Sequence, residues 1–349
     1  MIKRNSQTPL YVQLANLLRQ KIALGEISVG DKLPSESEMI KEYSLGRLTI
    51  RDALSILANE GLIEKHHGKG TFCKACVSEP RYRVDVLLNL KDMYFVHHYL
   101  QAICGELEKS DVSVVLHDTK NDTQKICNCL EKIDSEGTSG VIFQPASCGG
   151  MAPDNFLNVL EKFNKKNVPY IMIDSVYENA TPSFVIMNEI ESGKIAANYL
   201  KSLGHKKLCM ITKEGNSDSD LRLKGFKEEF ESEIYVINHS GNLENDITKM
   251  IKENENITGI FCYNDSVAKD LYKVFENRGI SVPEDMSVIG VDDTVIASAL
   301  SLTSVVHPKK HLAKDAAKAL MQIIKGKETW PYKKIFEPSL KIRKSCKKI

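Results

Sequence analysis

LPSESEMIKEYSLGRLTIRDALSILANEGLIEKHHGKGTF, residues 33–72, carries a complete supersecondary unit. Ser35 follows Pro34 and stands three residues before Glu38. In that S-x-x-E arrangement the serine oxygen accepts from a backbone N–H three residues on and the glutamate reaches back, so a helix is predicted from here to about Tyr43. Ser44-Leu45-Gly46 breaks it. Leu45, Ile50, Ala53, Leu54 and Leu57 then recur at the spacing of one buried helical face, leaving Arg47, Thr49 and Arg51 outward. Gly61 ends this helix, and the segment after it reads as two short strands around His67-Gly68-Lys69-Gly70. Upstream, Leu10, Leu14, Leu17, Leu18 and Ile22 mark a first amphipathic helix closed by Gly25. The sum is a winged helix-turn-helix, two short helices joined tightly and followed by a hairpin.

The outward arginines raise a question of counter-charge. Asp52 is the near carboxylate, and it is off the Arg47–Arg51 stripe. Phosphates and base edges of double-stranded DNA answer the question. Arginine presents paired donors to guanine or phosphate oxygens, Thr49 bonds to either, and both lie in the half of the helix whose dipole favours anions. Gly68 and its neighbours bring backbone N–H groups close to a second stretch of duplex, with His67 or Lys69 touching the minor groove or phosphates. The plainer reading makes the arginines solvated charges and the glycines a turn.

Composition agrees with a soluble globular protein. At 349 residues the chain has room for two or three domains, with 42% hydrophobic and 27% charged residues. Residues 1–75 hold eleven Lys/Arg against eight Asp/Glu, net +3, which leaves −2 elsewhere. No apolar stretch reaches the roughly 18 residues of a membrane span, so a cytoplasmic protein with no membrane partner is expected. Nine cysteines, scattered through predicted strands and helices, read as small core residues. Cys73–Cys76 has the spacing of half a zinc site, but no second half accompanies it, so no metal and no cofactor are expected.

Through residues 33–72 the chain resembles the GntR family of bacterial transcription regulators over residues 8–73. The resemblance implies DNA contacts at Arg47, Thr49, Arg51, His67 and Gly68. Gly46 stands where that family usually has Ser or Thr. Leu48 stands where Thr is frequent, which points to contact with a thymine methyl.

A domain covering 1–73 is therefore expected, then a linker at 74–83 that contains Pro80 and lacks apolar periodicity. From 84 to 349 the rhythm changes. Apolar runs at 84–90, 112–118, 140–146 and 169–175 alternate with helical stretches, and the pattern repeats at 207–212, 233–238, 258–264 and 286–293. This is the α/β signature of βαβ units, two parallel sheets and hence two lobes. Ligands bind beyond the carboxyl ends of such strands. The polar residues there are Asp92 and Tyr94, Gln144, Asp174, Asn264, and Asp292 with Asp293, while Arg222 opens a later helix. Acids, amides and a forked donor suit a neutral polyol. Taken one at a time, Asn264 and Asp293 are as well explained as helix caps.

NEIESGKIAANYLKSLGHKKLCMI, RLKGF, GIFCYNDSVAKDLYKVFENRGISVPEDMSVIGVDDTVIASAL and LTSVVHP are similar to the effector domain of LacI/GalR repressors, a fold related to periplasmic sugar-binding proteins. The resemblance implies effector contacts at Arg222, Asn264 and Asp292, and Asn188 stands where an aspartate is usual. A GntR-like head on a LacI-like body is the combination found in arabinose repressors. The expectation is a dimeric, ligand-responsive repressor of carbohydrate-utilisation genes that binds a palindromic operator and is released by a sugar. A purine, nucleoside or sugar phosphate is the alternative effector, with Lys91 available for a phosphate. No GxxxxGK, GxSxG or HExxH is present to support an enzyme.

Overall fold

Leu14, Ala15, Leu18 and Ile22 of α1 (Leu10–Ala23) are buried against Met39 of α2 (Glu36–Tyr43) and Ile50, Ala53 and Leu57 of α3 (Arg47–Asn59), one apolar stripe from each helix. A computed structural model describes residues 9–23, 25–66, 68–74, 82–146, 151–177, 179–180, 183–230, 234–254 and 256–349. Its contacts divide into two units, Met1–Arg81 and Tyr82–Ile349. His67, Cys76 and most of the predicted linker lie outside the described residues.

The first unit closes with the antiparallel hairpin β1 (Ile63–His66) and β2 (Gly70–Cys73). At the start of α2, Ser35 Oγ accepts from Glu38 N at 3.3 Å and Glu38 Oε2 accepts from Ser35 N at 2.7 Å. Ser44 ends α2 in the left-handed region, φ 52°. Ser35→Ala is expected to cost about 1 kcal/mol of local stability. Hydrogen exchange of the α2 amides should quicken by roughly fivefold, and unchanged exchange would remove the capping box from the account.

The second unit begins with β3 (Tyr82–Leu88), α4 (Met93–Leu107), β4 (Val112–Asp118), α5 (Thr123–Glu136), β5 (Gly140–Phe143), α6 (Asp154–Lys165), β6 (Tyr170–Asp174) and β7 (Phe184–Met187). There follow α7 (Glu189–Ser202), β8 (Leu208–Lys213), α8 (Ser217–Glu229), β9 (Ile234–His239), α9 (Leu243–Glu253), β10 (Gly259–Cys262), α10 (Asp265–Arg278), β11 (Ser287–Val291), α11 (Val295–Ala299) and β12 (Thr303–Val306). Last come α12 (Lys309–Ile324), β13 (Lys333–Phe336) and β14 (Ser339–Lys341).

Two six-stranded sheets result, ordered β4-β3-β5-β6-β7-β13 and β9-β8-β10-β11-β12-β14, parallel throughout except where β14 runs against β12. The orders match strand for strand, so each position in one lobe has a counterpart in the other. Six of the eight apolar runs found in the sequence form the sheet interiors, those of β4 and β9 form edges, and β5, β10 and β11 are buried along their whole length.

The lobes are not two successive halves of the chain. After β12 the chain returns to the first lobe, where Leu312, Ala313, Ala316 and Leu320 of α12 pack on Val84, Ile142 and Ile171. It adds β13 there and crosses again to supply β14. The sequence reading missed β7, β12, β13 and β14: they are three to four residues long and, unlike the equally short β5 and β10, none is buried along its whole length, so no continuous apolar run marks them.

Candidate effector cleft and nucleic-acid interface

Matching strand ends of the two lobes enclose one cavity of about 110 Å³. Gln144 and Pro145 follow β5, and Tyr263 and Asn264 follow its counterpart β10. Asp174 ends β6, and Asp292 follows β11. The remaining lining residues are Asn89, Asp92, Phe95, Ser175, Glu189, Asp218, Arg222 and His307. Asp174 and Asp292 both hold positive φ, 75° and 103°. Non-glycine residues keep that conformation only where surrounding structure imposes it, and such positions cluster at ligand sites.

Arg222 is the cationic centre of the cleft. Its Nε donates to Glu189 Oε2 at 2.6 Å, its Nη2 to Glu189 Oε1 at 3.0 Å, and its Nη1 to the Tyr263 carbonyl at 2.7 Å. Burial works against the charge, but Glu189 more than compensates and the guanidinium stays protonated. Two glycines make the ion pair possible. A β-carbon at Gly193 of α7 would strike the Arg222 carbonyl, and one at Gly225 of α8 the Ile190 carbonyl, so only this pair lets the helices approach closely enough.

The carboxylates differ in character. Burial raises the Asp174 carboxyl, but His307, with Nε2 at 2.9 Å, together with Tyr99 and Gln144, lowers it further, for a net shift downward. Gln144 Nε2 donates to Asp174 at 2.7 Å. Burial pushes Asp292 up to about 6 against the pull of Arg222 and His307. Asp218 is raised well above the usual range by burial and by Glu189 beside it. His307 is 4% exposed and its Nδ1 has no hydrogen-bond partner among the described residues.

Of the effector residues expected from sequence, Gln144, Asp174, Arg222, Asn264 and Asp292 all line this cavity, and Tyr94 does not. The Tyr94 hydroxyl donates instead to the Asp293 carbonyl at 3.2 Å. Phe95, one position on and about 100° further round α4, presents the aromatic face. Asn264 caps α10 through its carbonyl oxygen, 3.0 Å from Val267 N, which leaves its amide hydrogens for a guest. Asp293 pairs with Arg343 and is not in the lining. Lys91 is exposed and also absent from it. Sequence reasoning overlooked Glu189, Asp218, Tyr263 and His307. The lobe repeat could have found two of them, since Tyr263 occupies the place of Gln144 and His307 that of Asn188.

On the first unit, α3 presents Arg47 and Leu48 to solvent, Leu48 at 73% exposure, with Thr49 half-buried. Arg47 has no carboxylate partner among the described residues, but Arg51 does. Glu36, at the start of α2, pairs with Arg51 at 3.1 Å and lies 3.7 Å from Lys65 of β1. The expectation that Arg51 lacks a counter-charge within the chain is thus corrected. The pair is largely exposed, a class worth about 0–1 kcal/mol, so Arg51 can exchange it for phosphate. Gly46 precedes α3 without a side-chain cap. Gly68, with φ 73°, and exposed Lys69 form the turn of the wing.

Residues 10–73 match the family described as bacterial regulatory proteins, gntR family, and residues 197–346 a periplasmic binding protein-like domain. The arabinose metabolism transcriptional repressor of Geobacillus stearothermophilus is 28% identical over 98% of both chains, and that of Halalkalibacterium halodurans 28% over 94% of both. The transcriptional repressor PurR of Haemophilus influenzae strain PittEE is 30% identical over 76% of this chain and 82% of its own. Among solved structures, a periplasmic binding protein/LacI transcriptional regulator of Alkaliphilus metalliredigens complexed with D-xylulofuranose superposes with TM-score 0.61 at 22% identity, covering 76% of this chain and 99% of that one. The regulator CelR in its cellobiose complex gives 0.64 at 16%, covering 90% and 100%. The two units, the cleft between matched lobes and these relatives agree: the chain belongs to the ligand-responsive bacterial transcriptional repressors that join a GntR-type DNA-binding domain to a periplasmic-binding-protein-like effector domain.

Proposed function

We propose that the effector is a neutral monosaccharide, a pentose such as arabinose, and that its binding between the lobes releases operator DNA. The observation that carries this reading is the charge of the cleft. Asp92, Asp174, Glu189 and Asp292 share one cavity with Asp218, whose raised carboxyl adds least to the charge, three amides and a single arginine, itself held by Glu189. A phosphorylated ligand would meet repulsion there, and no lysine lines the wall to offset it. The aromatic sandwich that suits a purine is incomplete here, since Phe95 supplies one face and the Tyr263 ring is covered by the Arg222 guanidinium at 5.2 Å. Hydroxyl groups, which both donate and accept, match acids and amides, while Phe95 offers an apolar face to sugar C–H groups. A cavity this small, against roughly 300–1,000 Å³ for drug-sized guests, fits a compact molecule. Calorimetry of the full chain with L-arabinose, D-ribose, D-xylose, their phosphates and purines tests the proposal. Binding of a phosphate or purine in preference to every free sugar would overturn it.

In this reading residues 1–73 form the DNA-binding domain, 74–83 the linker, and 84–349 the effector-binding and dimerisation domain of a cytoplasmic homodimer. Its two heads read a palindrome whose half-sites are one helical turn, or a multiple, apart. Arg47, Leu48, Thr49 and Arg51 enter the major groove, and His67, Gly68 and Lys69 touch the flanking backbone or minor groove. Arg47→Ala is expected to weaken operator binding by about 1–3 kcal/mol at one base position, with sugar binding intact. Equal losses on operator and random DNA, compared at one salt concentration, would deny Arg47 a base-reading role.

A further inference from the structure

Lys309, the first residue of α12, is 6% exposed. Lysine is rarely buried without partners, and the first turn of a helix is electrostatically the wrong end for it. Its partners account for the placement. Nζ donates to the Asp292 carbonyl at 2.6 Å, lies 3.4 Å from the His307 carbonyl, and stands 5.1 and 5.5 Å from the ring centroids of Tyr94 and Phe95. Burial lowers the ammonium's pKa, while Asp292 and its neighbouring carboxylates oppose that shift.

These contacts join the lobes. Lys309 stands where the chain crosses from β12 of the second lobe into α12, its Nζ between the first-lobe rings of Tyr94 and Phe95 and Asp292, which follows β11 of the second lobe. Tyr94, on α4 of the first lobe, makes a parallel crossing to the next carbonyl, that of Asp293. Asp292 and Asp293 both hold positive φ, 103° and 48°. A strained two-residue turn thus has its successive carbonyls taken by Lys309, at the crossover between the lobes, and by Tyr94 of the opposite lobe, and the side chain of its first residue faces the cavity. Neither Lys309 nor Tyr94 lines that cavity.

We propose that Lys309 and Tyr94 are positioning residues for the effector, one donor from the crossover between the lobes and one from the first lobe, that hold the Asp292-Asp293 turn and thereby aim the Asp292 carboxylate into the cleft. The identity of the guest rests on the sugar reading above; the latch itself does not. Effector affinity is then set partly by residues that never touch the effector, and a ligand that bridges the lobes stabilises both crossings along with its own contacts.

Three variants of the full chain test this. Tyr94→Phe removes one donor, Lys309→Met removes the ammonium but keeps the stem, and Lys309→Arg restores a cation. Without sugar, the amides of residues 292–296 are expected to exchange about tenfold faster in Tyr94→Phe and in Lys309→Met than in the parent. With L-arabinose as probe, affinity falls about tenfold in each, Lys309→Arg recovers part of the loss, and the rank order among L-arabinose, D-ribose and D-xylose stays that of the parent. Parent-like exchange in both Tyr94→Phe and Lys309→Met overturns the proposal. So does an altered rank order, which would place Tyr94 on the sugar. A parent chain that binds none of the three sugars defeats the sugar reading, and the exchange data still decide the latch. Tyr94→Phe adds no volume and removes no methylene, so its result stands even if Lys309→Met fails to fold.

Discussion

Asp292→Asn is expected to abolish the response to sugar, with effector affinity down about a hundredfold and operator affinity without sugar nearly unchanged. A hydrogen bond to an ionised group contributes about 1.5–3 kcal/mol, and Asp292 is 8% exposed in a wall it shares with Arg222 and His307. Asparagine is the right probe because it tolerates the left-handed conformation at φ 103° that alanine resists. The pH dependence supplies a second arm. Burial pushes the carboxyl up to about 6, so the fold disfavours its ionised form. This group's penalty on sugar-free stability is therefore absent below the ordinary aspartate value of 3.8, grows as pH rises from there and is complete above about 6, the reverse of a paired carboxylate. A hydroxyl donating to the carboxylate favours ionisation, so sugar affinity should rise between pH 5 and 7 in the parent and lose that increment in Asp292→Asn. Calorimetry across this range decides the matter, and an inducible Asn variant would take Asp292 out of the site.

Glu189→Ala is expected to destabilise the two-lobed unit by about 3–5 kcal/mol, near the lower end because Asp292 also faces Arg222. Glu189 is 6% exposed and Arg222 5%. Deleting the acid leaves a charged guanidinium in a closed wall, which costs far more than the pair itself contributes. Glu189→Gln keeps an acceptor for one N–H and should lose less. Urea unfolding of the full chain, followed through the lone Trp330 of the first lobe and by circular dichroism, reads the difference. A Glu189→Ala protein within about 1 kcal/mol of the parent would show the pair to be dispensable.

How far the sequence carried the fold follows from the range of each interaction. The Ser35–Glu38 box, the apolar stripe of α3 and the hairpin glycines are local, so residues a few positions apart announce them. Of the eight strands read as apolar runs, β3, β5, β6, β8, β10 and β11 lie inside the sheets, where burial on both faces requires such runs, while β4 and β9 are edges that kept enough apolar residues to be seen. What escaped notice depends on contacts far along the chain. Strand β13 pairs with β7 across about 150 residues, and the return of α12 to the first lobe shows only in the core it completes. Arg51 finds Glu36 across the helix-turn-helix. In sequence nothing sets Glu189 apart from any acid in the first turn of a helix, and only the approach of α8, admitted by Gly193 and Gly225, puts Arg222 against it. Tyr94 and Phe95 are neighbours, and helix phase alone separates the lobe-bridging ring from the cavity-facing one.

The central claim is that occupancy of the cleft changes the head's grip on DNA, and the coupling must be reciprocal, typically about 1–3 kcal/mol. The direct measurement is fluorescence anisotropy of a labelled fragment from upstream of the protein's own gene, titrated with the full chain at fixed salt with and without saturating L-arabinose. The account predicts tight binding without sugar, about 5- to 150-fold weaker binding with it, and no sugar effect in Asp292→Asn. Operator affinity that stays the same when calorimetry shows the cleft filled would contradict it.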